Sequence, residues 1–106
     1  MKGLQPYIYS EPIRGVQVKP LTEDGKNVNI LYNGLLSQAG AEHIVMHAGF
    51  GDLNNWQHVN DYNMQRTQQG FEVSVNMKDT QLNFCFKDSF NNWDNNDGQN
   101  WIYRIY

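Results

Sequence analysis

The sequence predicts an antiparallel β-sandwich. About seven short segments place large apolar side chains at every second residue, which is the period of a strand that buries one face. Turn-forming residues separate these segments, for example at Asn33-Gly34 and at residues 78–80. No stretch has an apolar face long enough for a helix that could pack on a sheet. Two sheets packed face to face bury such strands.

The first two strands are predicted over residues 15–19 and 27–32. The connection that follows, over residues 35–41, is expected to make one helical turn. Residues 1–13 are expected to form either an extended arm or a linker, and the folded module is expected to span residues 14–106. The side chains of these two strands that should face the core are Val16, Val18, Val28, Ile30 and Tyr32.

A third strand, predicted over residues 43–50, carries the first candidate for function. Its inward side chains are Ile44, Met46, Ala48 and Phe50. Because alternate residues of a strand face opposite sides, His47 points away from the core. A glycine-containing break then leads into a loop over residues 53–58, where amide side chains surround Trp56. An indole in so polar a loop is a candidate for ligand contact.

The second half of the chain contains four further predicted strands. The segment over residues 59–67 alternates weakly and is expected to form one strand with Tyr62 and Met64 facing inward. Clearer alternation predicts strands over residues 70–77, 82–87 and 101–105. Their expected inward side chains are Phe71, Val73, Val75, Met77, Leu82, Phe84, Phe86, Trp101, Tyr103 and Ile105.

A polar loop begins after Asp88, where the alternation stops. Asn, Asp and Gly dominate residues 91–98, and such residues suit turns because they bond the nearby backbone and tolerate left-handed backbone angles. Trp93 lies among them. An indole in this setting is expected to stay partly in water, so Trp93 is a candidate binding platform.

Composition excludes several classes of function. The 106 residues suffice for one domain that folds without disulfides or a structural metal. Its net charge is −3, and no basic run is present to make the phosphate contacts on which nucleic-acid binding depends. Apolar runs are too short for a signal peptide or a membrane span. The compartment is therefore unknown, and a complete chain would be cytoplasmic.

The aromatic content points to the kind of ligand. Three Trp, six Tyr and five Phe residues accompany few charges and many amide side chains. Aromatic rings can cover the apolar C–H faces of a sugar while amides exchange hydrogen bonds with its hydroxyls. This balance suits a neutral, polyhydroxylated ligand.

Catalytic and metal sites fit the sequence poorly. A glycosidase needs two carboxylates, one of them with a raised pKa, and the nearest pair, Asp88 and Asp94, lies among amides and turn residues. An EF-type calcium loop with Gly98 at its sixth position would have Trp93 at the first position and Arg104 at the twelfth, where carboxylates are required. We expect no catalysis, no metal and no cofactor, although another calcium geometry at Asp94 or Asp97 stays open.

The lone cysteine does not change this expectation. Cys85 excludes a disulfide within the monomer and lies inside a predicted strand. No second Cys or local His is beside it to activate the thiol. It is expected to be a packed residue.

Two motifs carry a resemblance to a known family. The first is Met-His-Ala-Gly-Phe-Gly at residues 46–51, followed by Trp56, and the second is Trp-Asp-Asn-Asn-Asp-Gly-Gln-Asn-Trp at residues 93–101. With the strand before the second motif, they resemble the starch-binding carbohydrate-binding modules of families 25 and 53, from about residue 15 to the C-terminus. The resemblance implies an immunoglobulin-like β-sandwich that binds α-1,4-glucans without catalysis, usually attached to an amylase or related enzyme.

The same resemblance implies a set of binding residues. The ligand would be held by His47, Trp56 and Trp93, with polar help from Asp94, Asn95 and Asn96. The implied partners are starch, glycogen and maltooligosaccharides, together with an attached or associated glucan-active enzyme. The alternative is an immunoglobulin-like module whose exposed aromatics bind another protein. Isolated rings surrounded by amides favour the sugar over a protein partner.

Overall fold

The computed structural model describes residues 3–4 and 14–105, which form ten strands and one short helix. No helix in these residues is long and apolar enough to cross a membrane. The elements are β1 (Gly3–Leu4), β2 (Val16–Pro20), β3 (Asn27–Tyr32), α1 (Leu35–Gln38), β4 (Ile44–Phe50), β5 (Gln57–Asn63), β6 (Gln65–Thr67), β7 (Gly70–Asn76), β8 (Gln81–Asp88), β9 (Trp93–Asp94) and β10 (Trp101–Arg104).

Two sheets pack face to face and confirm the predicted sandwich. The front sheet has the order β1-β10-β8-β4-β5, and β9 pairs with β8. The back sheet has the order β2-β3-β7-β6. Every described pair is antiparallel except β1 with β10. Within the arm or linker predicted over residues 1–13, Gly3–Leu4 forms β1, and the rest lies outside the described residues.

The core lies between the sheets and follows the predicted alternation. Tyr32 of the back sheet stacks on Phe86 of the front sheet, with ring centroids 4.1 Å apart. Trp101 is also buried, and its ring packs against Phe84 and Phe86. The predicted inward side chains are all buried apart from three that are partly buried against this cluster, namely Tyr62, Val73 and Met77.

The segment over residues 59–67 differs from its prediction. It forms two strands in different sheets, β5 in the front and β6 in the back, rather than one. The chain crosses at Met64, whose side chain is buried and whose N–H donates to the carbonyl of Ile44 at 3.1 Å. The weak alternation in this segment therefore reflects the change of sheet.

Trp93 also differs from its prediction as a loop residue, because it begins the short strand β9. Its partner across the ladder is Lys87, while Asp94 lies opposite Phe86. Since Phe86 faces the core, Asp94 points inward and is buried, and Trp93 faces outward. Pairing with β8 thus fixes the direction of the indole.

Candidate functional site

The outer face of the front sheet brings three predicted site residues together. The ring centroid of His47 lies 5.8 Å from that of Trp56 and 5.6 Å from that of Trp93. The imidazole plane makes angles of 31° and 89° with these two indoles. The indole planes are therefore inclined to each other by at least 58°, the difference between these angles. The site consists of two non-coplanar rings around a histidine.

Trp93 is the more exposed of the two indoles. Its exposed fraction is 47%, although it belongs to a strand. The ammonium of Lys87 lies 5.2 Å from its ring centroid, within the range of a cation–π contact. This contact and the β9 ladder hold the ring in place while leaving much of its surface open.

Trp56 is positioned by the loop between β4 and β5. Its indole N–H donates to the carbonyl of Leu53 at 2.6 Å, so the polar edge of the ring is satisfied within the protein. The ring packs over Gly49, where a Cβ would lie only 2.7 Å from the Cβ of Trp56. Glycine at this position therefore allows the indole to approach the sheet. The ring offers a ligand its apolar surface and not its N–H.

Asn83 fixes that loop from below, a role that the alternation of β8 did not indicate. The side chain is fully buried, and its Nδ2 donates to the carbonyl of Gly51 at 3.0 Å. Its Oδ1 accepts a 2.8 Å hydrogen bond from Nε2 of Gln81. A buried amide with these partners anchors the segment that leads to Trp56.

A carboxylate and an ammonium support His47. Asp61 lies directly opposite His47 in the ladder, and its Oδ1 is 2.7 Å from the histidine Nδ1. The Nζ of Lys87 is 3.1 Å from the other carboxylate oxygen. The hydrogen bond with His47, followed by that with Lys87, lowers the pKa of Asp61. An Nδ1–H donated to Asp61 leaves Nε2 as the acceptor for a ligand hydroxyl.

The three polar residues predicted beside Trp93 all make hydrogen bonds within the protein. Asp94 is buried and accepts a 2.6 Å hydrogen bond from the hydroxyl of Tyr32. The Oδ1 of Asn95 accepts from the N–H of Gly98 at 2.9 Å. Nδ2 of Asn96 donates to the carbonyl of Asn100 at 2.9 Å. These contacts shape the turn after Trp93, and the side chain of Asn95 is the most open to solvent.

Few groups at the site suit metal or covalent chemistry. Within residues 3–4 and 14–105, no cluster of three or more His, Cys, Asp or Glu side chains could hold a metal ion. Burial raises the pKa of the Cys85 thiol to about 11, so the thiol is protonated at neutral pH and is a weak nucleophile. The arrangement offers ring surfaces and hydrogen-bonding groups, which is suited to recognition.

Exposed rings around a hydrogen-bonding histidine, on the face of a β-sandwich, suit the recognition of a sugar, as in a carbohydrate-binding module. Residues 28–84 match the family model described as starch/carbohydrate-binding module, family 53. This match covers more than half of the 106 residues, and the chain therefore belongs to that family of non-catalytic starch-binding modules. The family 53 part of the resemblance is confirmed, and family 25 stays a resemblance.

A curated relative agrees with this membership. The chain is 32% identical over 89 residues to an alpha-amylase from Clostridium acetobutylicum. The aligned region covers 81% of this chain and 11% of the amylase, so the chain spans only a small part of that relative. No solved structure matches the chain significantly.

Proposed function

We propose that this chain binds α-1,4-glucans, namely starch, glycogen and maltooligosaccharides, by stacking on Trp56 and Trp93 and by hydrogen bonds from His47. The observation that carries the proposal is the inclination of at least 58° between two accessible indoles that both contact this histidine. Family membership supports a glucan as the ligand.

The inclined rings favour an α-linked chain for a geometric reason. A flat β-1,4 chain presents successive sugar faces in nearly one plane and is best met by coplanar rings. An α-1,4 chain curves, so neighbouring sugars present their C–H faces at different angles. Two indoles at this inclination match the curved chain, and each covers an apolar sugar face.

Polar groups between the rings would orient the ligand. With Nδ1–H donated to Asp61, the Nε2 of His47 accepts a hydrogen bond from a glucan hydroxyl. The exposed amide of Asn95 is the best placed of the predicted loop residues to add a further hydrogen bond. Asp94 and Asn96 contribute by holding the turn after Trp93 in shape.

The carboxylates nearest Trp93 support binding without hydrolysis. A glycosidase acid needs a raised pKa. The pKa of Asp88 is instead lowered, chiefly by the hydrogen bond from the side chain of Asn92. Asp94 is buried beneath the front sheet against Tyr32. Neither residue provides an exposed proton donor beside the proposed platforms.

The relative suggests a setting for such binding. In it, a segment similar to this chain is part of an alpha-amylase. A module that holds a polymer beside a linked or associated catalytic domain raises the effective substrate concentration. We propose that this chain serves a glucan-active enzyme in that way.

Isothermal titration with maltotetraose and cellotetraose tests the proposal. We expect binding of maltotetraose, amylose and glycogen, and little binding of cellotetraose or xylan. Equal affinity for the two tetrasaccharides, or preference for the β-linked one, would overturn it. The alternative, a protein-interaction module, has a supporting observation in exposed Phe90 and Leu35, which are 83% and 67% exposed.

A further inference from the structure

A groove of about 980 Å³ lies beside Trp93, between α1 and the turn that joins β8 to β9. Leu35 of α1 and Phe90 of the turn contribute apolar surface to it, and Glu42 and His43 contribute polar groups. Its volume is at the upper end of the range of about 300–1,000 Å³ that is typical of ligand pockets. The groove is thus large enough for part of an oligosaccharide.

Phe90 is exposed on a turn that several hydrogen bonds stabilise. Its N–H and that of Asn92 both donate to Oδ1 of Asp88 at 2.9 Å. The side chain of Asn92 donates to the other carboxylate oxygen at 2.9 Å, and the N–H of Asp88 donates to the carbonyl of Asn92 at 3.0 Å. These bonds order the backbone of the turn, so little backbone freedom is lost when the ring contacts a ligand.

The groove is continuous with the proposed glucan site. Trp93 lines the groove and also contacts His47. His43, another lining residue, immediately precedes β4, in which Gly49 lies under Trp56. From His43 to Gly49 is six residues, or roughly 20 Å of extended chain at about 3.3 Å per residue. The groove therefore lies at one end of the face and Trp56 at the other.

We propose that this groove is a further subsite for the same glucan, in which Phe90 provides a third stacking ring. The proposal rests on the proposed function, because it extends a chain already stacked on Trp93. A sugar beyond Trp93 would place a C–H face on Phe90 and its hydroxyls near Glu42 and His43. Long glucans would contact this subsite, and short ones would be held by the indoles and His47 alone.

The lining favours a sugar chain over a protein. Protein hot spots lie within well-packed, desolvated patches. In this groove the three exposed large apolar side chains come from separate segments, Leu35 from α1, Phe90 from the turn and Trp93 from β9, and the lining also contains the titratable residues Glu42, His43 and Asp88. Continuity with Trp93 favours a ligand that runs from one ring to the next.

Chain length distinguishes this subsite from the primary site. Titrations with maltotriose and maltoheptaose should be carried out on the wild type and on Phe90→Ala, Phe90→Tyr and Trp93→Ala. We expect Phe90→Ala to bind maltotriose like the wild type and to lose on the order of tenfold in maltoheptaose affinity, as expected for one stacking ring. Phe90→Tyr should keep the higher affinity for maltoheptaose than for maltotriose. Trp93→Ala should lose affinity for both ligands.

The outcomes separate the two proposals. A wild type that binds no maltooligosaccharide overturns the function and the subsite together. If the wild type binds maltooligosaccharides but Phe90→Ala binds maltoheptaose with the same affinity as the wild type, the subsite alone is overturned. An equal loss of affinity for both ligands in Phe90→Ala also overturns the subsite alone. Analytical ultracentrifugation would show whether the wild type self-associates and Phe90→Ala does not. That result, without a Phe90-dependent increase in maltoheptaose affinity, would assign the surface to protein contact instead.

Discussion

The hydroxyl of Tyr32 donates a 2.6 Å hydrogen bond to Oδ2 of Asp94, a residue 62 positions later in the chain. The hydroxyl oxygen of Tyr32 also accepts a 3.0 Å hydrogen bond from the N–H of Leu36. It thereby joins the back sheet, β9 and α1 directly beneath the strand that carries Trp93. Burial, together with this hydrogen bond to Asp94, raises the pKa of Tyr32 and keeps its hydroxyl protonated as the donor.

Tyr32→Phe should destabilise the domain more than its small change in volume suggests. Oδ2 of the buried Asp94 and the N–H of Leu36 would both lose the Tyr32 hydroxyl as their partner. Leaving a buried polar group unsatisfied costs about 1–3 kcal/mol, and more when the group is charged. Urea denaturation measures the loss in unfolding free energy. Ser37→Ala is the control, because its hydrogen bond is exposed and the change should stay within about 0.5 kcal/mol.

Phenylalanine truncations should separate the core from the surface. Phe84 and Phe86 are fully buried, and removing such a ring costs about 3–5 kcal/mol. Phe90 is 83% exposed and lies only four residues beyond Phe86, so Phe90→Ala is a matched control with almost unchanged stability. Thermal and urea unfolding of the three variants provide the measurement. Equal stability of Phe84→Ala and Phe90→Ala would contradict the described packing.

Trp93→Ala should weaken glucan binding while preserving the fold. One stacking platform is worth about 1–3 kcal/mol, by analogy with base stacking on aromatic rings. With almost half of its surface in solvent, the indole contributes little to the core. Maltotetraose titration and circular dichroism measure the two effects. Trp101→Ala is the contrasting variant, because Trp101 is buried against Phe84 and Phe86 and its loss should unfold or strongly destabilise the domain.

Alternation along the chain predicted most of the core, because the buried faces consist of large apolar side chains at every second position. It also placed His47 on the outer face. It could not place Asp61 opposite His47, since β5 alternates weakly and pairing between strands is a long-range property. The same limit applies to Asp94, which turns inward only because it pairs opposite Phe86.

The contact of His47 with both indoles is also a long-range property of the fold. The residues next to His47 in the sequence gave no sign that it would contact Trp93, which lies 46 positions later. The family resemblance supplied that expectation. Asn83 was missed because its position in the strand pattern is that of an outward polar residue, whereas a loop folds over it and takes up its hydrogen bonds.

Removing divalent metal should leave glucan binding unchanged. In the part of the chain that the structure describes, no cluster of three candidate side chains could coordinate a metal ion. Titration of maltotetraose in the presence and absence of a chelator measures this directly. A strong loss with the chelator, restored by calcium, would point to a calcium site involving Asp94 or Asp97.

The final prediction concerns Asp61, whose carboxylate is hydrogen-bonded to His47 from the neighbouring strand β5. Hydrogen bonds from His47 and Lys87 lower the pKa of Asp61 from its ordinary value of 3.8. A group whose pKa is depressed by folding stabilises the protein above its unfolded pKa, and this contribution is lost as the pH falls through the folded pKa. The stability difference between the wild type and Asp61→Asn should therefore be fully present above about pH 5 and shrink as the pH falls further.

Comparison with Asp61→Asn is necessary because Asp24, Glu72 and Asp88 also have lowered pKa values and titrate in the same acid range. Urea denaturation of both proteins between pH 2.5 and pH 6, endpoints chosen roughly to bracket this range, isolates the contribution of Asp61. Nitrogen-15 NMR of the imidazole at neutral pH should show the proton on Nδ1 of His47 in the wild type, and a mixture of tautomers in Asp61→Ala. The same variant should bind maltotetraose more weakly, because Nε2 is no longer held as the acceptor. An unchanged tautomer and unchanged affinity would show that Asp61 does not position His47.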